Sequence, residues 1–311
     1  MVQISVVICT HNRDFLLEKC ISSIVNLNSD LSLVEVVVVD NYGKSNTKKI
    51  ISQFREKNQI SIQYCYESNI GLSFARNTGV KNAQNEWLVF IDDDSLIDFS
   101  YLYNLNQILA DNLHLRCIGG KYLPWYLFGK PRWYNDEWAS SSGKPSSFSE
   151  LKSDQYFDGG NFVIHRSIFS EIGLFNTSLG MSGQKISYGE EIDFQVRMRL
   201  NGIPIWYSPN LLILHLVPKY KLKVSWFIKS WYAHGKDYWN TYNARPFGYG
   251  FGFGVFLRVT KLILFNFLMY SKKLNAKNYF IQNWIIDSLK LPAWEIGRLV
   301  GAKKLKFNVR D

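Results

Sequence analysis

Residues 86–98, EWLVFIDDDSLID, constrain this chain more than any other stretch. Positions 87–91 form a five-residue apolar run with the composition of a buried strand. The run halts at Asp92, Asp93 and Asp94. Adjacent carboxylates at the end of a buried strand repel one another, and burial makes each costly to ionise unless a cation lies among them. Carboxylate oxygens are hard donors that suit magnesium or manganese. Open α/β sheets bind ligands just past the carboxyl ends of their strands, which is where this cluster falls. The competing reading is a solvated acidic turn capping a helix over SLIDFSYLYNLNQIL.

The preceding residues repeat one pattern. Residues 4–9 are a β-branched apolar run ending in Thr10, His11, Asn12 and Arg13, with a helix expected over DFLLEKCISSIVNL. Residues 34–39 form a second such run, ending in Asp40 and Asn41. A helix over 47–57 leads to a strand at 60–66 and the turn Glu67-Ser68-Asn69-Ile70-Gly71. A third helix carries LSFARNTGVKNA. Strand, polar turn and helix, three times over, predict a doubly wound, mostly parallel sheet with a nucleotide at its strand ends. Neither G-x-G-x-x-G nor G-x-x-x-x-G-K-[ST] occurs, which argues against a dinucleotide fold and a P-loop.

The chain's 311 residues suit one large or two small domains, and 47% apolar with 16% aromatic content describes a globular, aromatic-rich protein. The four cysteines, Cys9, Cys20, Cys65 and Cys117, show neither C-x-x-C pairing nor metal-ligand spacing, so a reducing compartment is expected. A strand beginning near residue 4 leaves no room for a signal peptide in this sequence.

Residues 121–157 form a long irregular stretch. Asp158-Gly159-Gly160-Asn161 precedes a short strand, FVIH, and the two glycines permit close backbone approach. Residues 176–189 hold three glycines and few large apolar anchors, as a mobile loop would. Glu190 and Glu191 then open a helix, where negative charge is favoured. Ile192, Val196 and Leu200 share one face of it, and Gly202 with Pro204 closes it. His215 follows the apolar run at 211–214.

These segments, SVVICTHNR, VVVVDN, NIGLSFARNTGV, FIDDD, DGGNFVIHR and GEEIDFQVRMRLNG followed by LILH, resemble in order and spacing the family 2 glycosyltransferases of the GT-A fold. The resemblance covers residues 1–217. It implies a Rossmann-like catalytic domain that uses a nucleotide sugar. Thr10, His11, Asp40 and Asn41 would surround uracil or thymine, with Asp40 accepting from the base N3–H. Asn69, Arg76, Asp92, Asp93, Gly160 and Asn161 would complete the donor site, Arg76 near the diphosphate. Asp94 and Asp92 match D-x-D and would hold a manganese or magnesium ion, joined by His215 as metal or diphosphate ligand. Glu191 would be the catalytic base, with Glu190 as the alternative carboxylate. The loop at 176–189 would order over bound donor. Trp125, Trp133 and Trp138 would stack on sugar or cover the sheet edge.

Residues 218–311 differ in kind. Residues 1–215 carry 19 Lys and Arg against 22 Asp and Glu, whereas 216–311 carry 17 against 4, so the net charge of +10 lies in the tail. Trp226, Phe227, Trp231, Tyr232, Tyr238 and Trp239 crowd one segment among lysines. RPFGYGFGFG breaks the chain, residues 255–270 are apolar but too charged for a comfortable span, and residues 279–300 read as an amphipathic helix. The expectation is a helical extension that touches an anionic membrane or packs on the catalytic domain. The enzyme would then work at the cytoplasmic face of a bacterial membrane, on a glycan or lipid-linked acceptor and not on nucleic acid. Two rivals remain at this point, a nucleotidyltransferase and a non-catalytic membrane- or nucleic-acid-binding protein.

Overall fold

A computed structural model describes residues 2–43, 46–58, 60–183, 186–242, 244 and 251–307. The chain forms two compact units. The first comprises Met1–Trp125, Asp136–Ser178 and Glu190–Leu216, and the second Tyr126–Asn135, Leu179–Gly189 and Val217–Asp311. The expected division was at 217/218; the first unit here ends at Leu216, and two earlier segments are grouped with the second unit. Their side chains explain this. Trp133 packs on Phe227, and Ser187 and Tyr188 both donate to Asp237. Residues 245–250 of the expected glycine-rich break, and Gln184 and Lys185 of the expected loop, lie outside the described residues.

The first unit is built on one sheet. β1 (Ile4–Thr10), β2 (Val34–Asn41), β3 (Ser61–Glu67) and β4 (Trp87–Asp92) are parallel, in the order β3-β2-β1-β4. The β1 and β2 runs are almost wholly buried, as helices on both faces of a parallel sheet require. α1 (Asp14–Val25), α2 (Thr47–Asn58) and α3 (Leu72–Asn82) supply the crossovers. α3 lies so close that a Cβ on Gly79 would come 2.3 Å from Val7 Cγ1.

The order then continues through β8 (Asn161–His165), β6 (Cys117–Trp125), β9 (Trp206–Leu216) and β5 (Ser95–Ile97). β8 runs antiparallel to β4 and β6, β6 runs parallel to β9, and β7 (Ser149–Glu150) pairs with β9 off this path. Residues 95–97, expected to start a helix, instead form β5 because β9 offers them a ladder. The helix, α4 (Tyr101–Asp111), begins only after Asp98 has accepted from Ser100 N. α5 (Ser167–Ile172) and α6 (Glu190–Leu200) complete the unit.

Register places the site. Thr10 pairs with Asp40 across β1 and β2, and Cys9 with Asp92 across β1 and β4. Ser95 pairs with His215 across β5 and β9. Carboxylates therefore line one edge formed by the carboxyl ends of three parallel strands, and His215 is drawn to the same place from far along the chain.

The second unit is helical, with α7 (Val224–Thr241), α8 (Phe251–Ser271) and α9 (Ile281–Phe307). α7 and α9 pack backbone on backbone. A Cβ on Gly235 would meet Trp294 O at 2.0 Å, and one on Gly297 would meet Tyr232 O at 2.0 Å. Trp239 is buried and donates through Nε1 to Arg298 O at 2.8 Å. The aromatic crowding of α7 therefore serves, in good part, as core.

Candidate active site

The three aspartates leave β4 in different directions. Thr10 Oγ1 donates to Asp93 Oδ2 at 2.7 Å. Arg13 Nη1 donates to Asp93 Oδ1 at 3.0 Å and to Asp94 Oδ2 at 2.9 Å. On the far side, His215 Nε2 lies 3.2 Å from Asp94 Oδ1 and 3.7 Å from Asp92 Oδ2. Asp92, Asp94 and His215 thus offer three ligand atoms within 4.8 Å of one another. Two carboxylates and an imidazole are a donor set that fits manganese or magnesium. Asp93 is not part of that set. It is buried against Thr10 and Arg13, and burial pushes its carboxyl up to about 7 although the Arg13 charge opposes this.

A second cluster surrounds Arg76. Its guanidinium is buried, donates from Nη1 to Glu190 Oε1 at 2.8 Å and from Nη2 to Gly159 O at 2.6 Å, and lies 3.7 Å from Asp92 Oδ1. Phe162 and Phe175 flank it, with ring centroids 5.5 and 5.7 Å away. The two glutamates of α6 consequently differ. Glu190 is 5% exposed and tied to Arg76. Glu191 is half-buried, and burial followed by the Glu190 charge holds its carboxyl well above the ordinary 4.5.

The Gly159-Gly160 turn joins the clusters. A Cβ on Gly159 would come 3.4 Å from Glu191 Cδ, and one on Gly160 would come 2.6 Å from Asp92 Oδ2. The turn's lack of side chains lets it pass closely between Asp92 and Glu191. Asp158, just before it, is raised by burial, with Lys144 and His215 acting the other way.

At the other end, Asp40 Oδ1 accepts from Gly43 N at 3.1 Å and Oδ2 from the Tyr64 hydroxyl at 3.2 Å. Burial raises Asp40 and pushes Tyr64 up to about 12. Asn41 Oδ1 accepts from Gly71 N, its Nδ2 donates to Asn69 O, and its carbonyl meets His11 Nδ1. Asn41 therefore shapes the β3–α3 turn and His11 is held at the end of β2, while the exposed Asn69 side chain donates to Glu67.

The expected residues gather at one sheet edge with three differences. Thr10 turns its hydroxyl to Asp93 rather than outward. Arg76 is spent on Glu190 and Gly159. Asn161, expected to touch the donor, is fully buried. Its Nδ2 donates to Lys121 O and Leu211 O, both at 2.8 Å, and its Oδ1 accepts from Tyr101. This bridges the β6–β9 register shift at Gly120/Lys121, where a Gly120 Cβ would come 2.3 Å from Asn161 Nδ2. Of the three tryptophans, Trp125 donates to Asp94 O at 3.3 Å, and Trp133 packs in the second unit. Sequence reasoning assigned no role to Arg13. Its only signal was a cation directly after the first strand.

The family model described as "Glycosyl transferase family 2" matches residues 5–173, more than half of the chain. The succinoglycan biosynthesis protein ExoM of Rhizobium meliloti is 25% identical over 237 residues, covering 76% of this chain and 74% of that protein. The glucosyl-dolichyl phosphate glucuronosyltransferase of Haloferax volcanii is 20% identical over 248 residues, covering 78% and 76%. Among solved structures, the mannosyltransferase PcManGT from Pyrobaculum calidifontis, in complex with GDP-Man and Mn2+, superposes with a TM-score of 0.58 at 18% identity. That superposition covers 99% of this chain and 79% of that one, and it shows the GT-A fold. A sheet edge built from these motifs, in a chain matched by that model over most of its first unit, is that of an enzyme that transfers sugars: the chain belongs to glycosyl transferase family 2.

Proposed function

We propose that this glycosyltransferase is an inverting, metal-dependent enzyme. It moves a sugar from a UDP- or dTDP-linked donor to a hydroxyl of a glycan or lipid-linked acceptor in cell-surface polysaccharide synthesis. The observation that carries the reading is the split between the two glutamates, across one glycine turn from Asp92. Glu190 is neutralised by Arg76, whereas Glu191 is half-buried with a raised affinity for a proton. A general base needs that combination of access and basicity.

Asp92, Asp94 and His215 would hold the divalent cation, which supplies positive charge to the departing diphosphate. The remaining work falls to side chains. Asp40 accepts a base N–H with the lone pairs that Gly43 and Tyr64 leave unused. Arg76 pairs with Glu190 and fixes the Gly159 carbonyl. Glu191 takes the proton of the acceptor hydroxyl. The freed oxygen bonds to the anomeric carbon from the face opposite the diphosphate, which leaves with the electron pair of the broken C–O bond. General-base help of this kind contributes ~10²–10⁴ in rate, and positioning supplies much of the rest.

The glucuronosyltransferase relative, named for a dolichyl-phosphate substrate, supports the lipid-linked acceptor, and the Mn2+ in the mannosyltransferase complex supports the cation. Such acceptors put the enzyme at the cytoplasmic face of the membrane, in peripheral contact with anionic lipid. The test is nucleoside diphosphate release from UDP-, dTDP- and GDP-linked sugars, with and without manganese. Release from a UDP- or dTDP-sugar that depends on manganese is expected. Metal-independent release, or release from GDP-sugars alone, contradicts the proposal.

A further inference from the structure

We infer that α8 is the element that enters the membrane, lying in the interface with one uncharged face among the lipid chains. This gives the peripheral contact proposed above a specific surface. It also moves that contact away from the tryptophan-rich α7, whose Phe227 and Trp239 are buried.

Most of the exposed apolar side chains of α8 form a stripe, with Phe265 exposed outside it beyond Lys261. Phe253, Phe256, Leu257, Leu264 and Leu268 fall within about 120° of arc at 3.6 residues per turn. Leu264 is 63% and Leu268 71% exposed, values that no packed helix face shows. No charge interrupts this arc. Thr260 and Ser271, which share it, return their hydroxyls to Phe256 O and Leu268 O. A continuous apolar face of this length on a water-exposed helix marks an interaction surface.

Charge identifies the partner. Residues 217–307 contain three acids, Asp237, Asp287 and Glu295, and each is withdrawn from the surface. Asp237 accepts from Ser187 and Tyr188 N, Asp287 from Lys290 and Tyr279, and Glu295 from Arg298. What remains outside is cationic, with Lys261 on the flank of the stripe and Lys272, Lys273 and Lys277 exposed just beyond its end. An apolar stripe edged by lysines, in a described segment 217–307 whose three acids are all paired, complements an anionic lipid surface.

By length and composition the 19 residues Phe253–Ser271 are also enough to cross a membrane. The opposite face argues for lying in the interface instead. Arg258 pairs with Glu295 at 3.4 Å, and the buried Asn266 donates to Ser288 O. That face is committed to α9, which carries Asp287, Lys290 and Glu295 along the same length.

The experiment is co-sedimentation of the full chain with vesicles of phosphatidylglycerol and phosphatidylethanolamine, and with phosphatidylcholine vesicles. The variants are the wild type and Leu264→Gln/Leu268→Gln, which keeps helix-forming residues. The wild type should pellet with anionic vesicles, bind phosphatidylcholine weakly and be released by alkaline carbonate. The double variant should lose at least ~10-fold in partitioning with an unchanged unfolding temperature. Wild type left in the supernatant, equal binding by the variant, or resistance to carbonate each overturns the inference. So does a lipid-free dimer, seen by light scattering, that the double substitution dissolves, since the stripe would then be covered by a second copy. Nucleoside diphosphate release in the same samples without vesicles tests the glycosyltransfer proposal separately.

Discussion

Arg76 Nη1 and Glu190 Oε1 lie 2.8 Å apart, both side chains under 10% exposed, although 114 residues separate them. Breaking a buried pair from one side leaves a buried charge without compensation. Arg76→Met should therefore cost ~3–5 kcal/mol in urea unfolding. Arg76→Lys should recover part of that loss but not the bond to Gly159 O. A methionine variant within 1 kcal/mol of wild type, as an order of magnitude for an exposed pair, would show that the pair is solvated.

Glu191→Gln should retain donor affinity and lose at least ~10²-fold in turnover, because an amide cannot accept the proton. It should also unfold at a higher temperature than wild type at neutral pH. The Glu191 carboxyl is held above its ordinary 4.5, so stability is intact below that value and is lost as pH rises through the raised one. The stabilisation by glutamine should fade as the pH is lowered past the ordinary glutamate range. Glu190→Gln should instead destabilise, by stranding Arg76. Melting curves of both variants across pH, beside their turnover, decide between the carboxylates.

Asp94→Asn and His215→Gln should each weaken manganese binding, measured calorimetrically or by electron paramagnetic resonance, while far-UV circular dichroism stays unchanged. Each removes one donor from the three that lie within 4.8 Å. Asp93→Asn should leave manganese affinity close to wild type, since Asp93 faces Thr10 and Arg13. Equal losses in all three variants would mean that the ion sits deeper than that donor set.

Arg13→Gln removes a guanidinium shared by Asp93 and Asp94 at 3.0 and 2.9 Å. Because Arg13 is 41% exposed, the expected cost is modest, about 1–2 kcal/mol. Manganese should then raise the melting temperature more than it does in wild type, because the ion takes over the neutralisation. A smaller metal-induced rise would refute this.

The parallel half of the sheet was legible in the sequence because β1, β2 and β4 are buried apolar runs closed by polar turns, with the mixed edge strand β3 placed by the repeat. The aspartate cluster was legible for the same reason: Asp92–Asp94 directly follow such a run. His215 could not be placed from local pattern, since the Ser95–His215 pairing that brings it to Asp94 spans 120 residues. The place of Asn161 was not legible because Gly-Gly-Asn resembles a ligand-binding turn, whereas its buried amide fills a register shift between two strands. The tryptophans of α7 suggested a membrane surface, but the close α7–α9 packing turns Trp239 inward.

The central claim is that Glu191, beside a metal held by Asp92, Asp94 and His215, drives transfer from a nucleotide sugar. The most direct measurement is manganese-dependent release of nucleoside diphosphate from a UDP- or dTDP-sugar panel by wild type, Glu190→Gln and Glu191→Gln, with donor binding measured in parallel. The account predicts release by wild type, a smaller loss in Glu190→Gln, and binding without release in Glu191→Gln. Wild-type release from Glu191→Gln, or an inert Glu190→Gln beside an active Glu191→Gln, would contradict it.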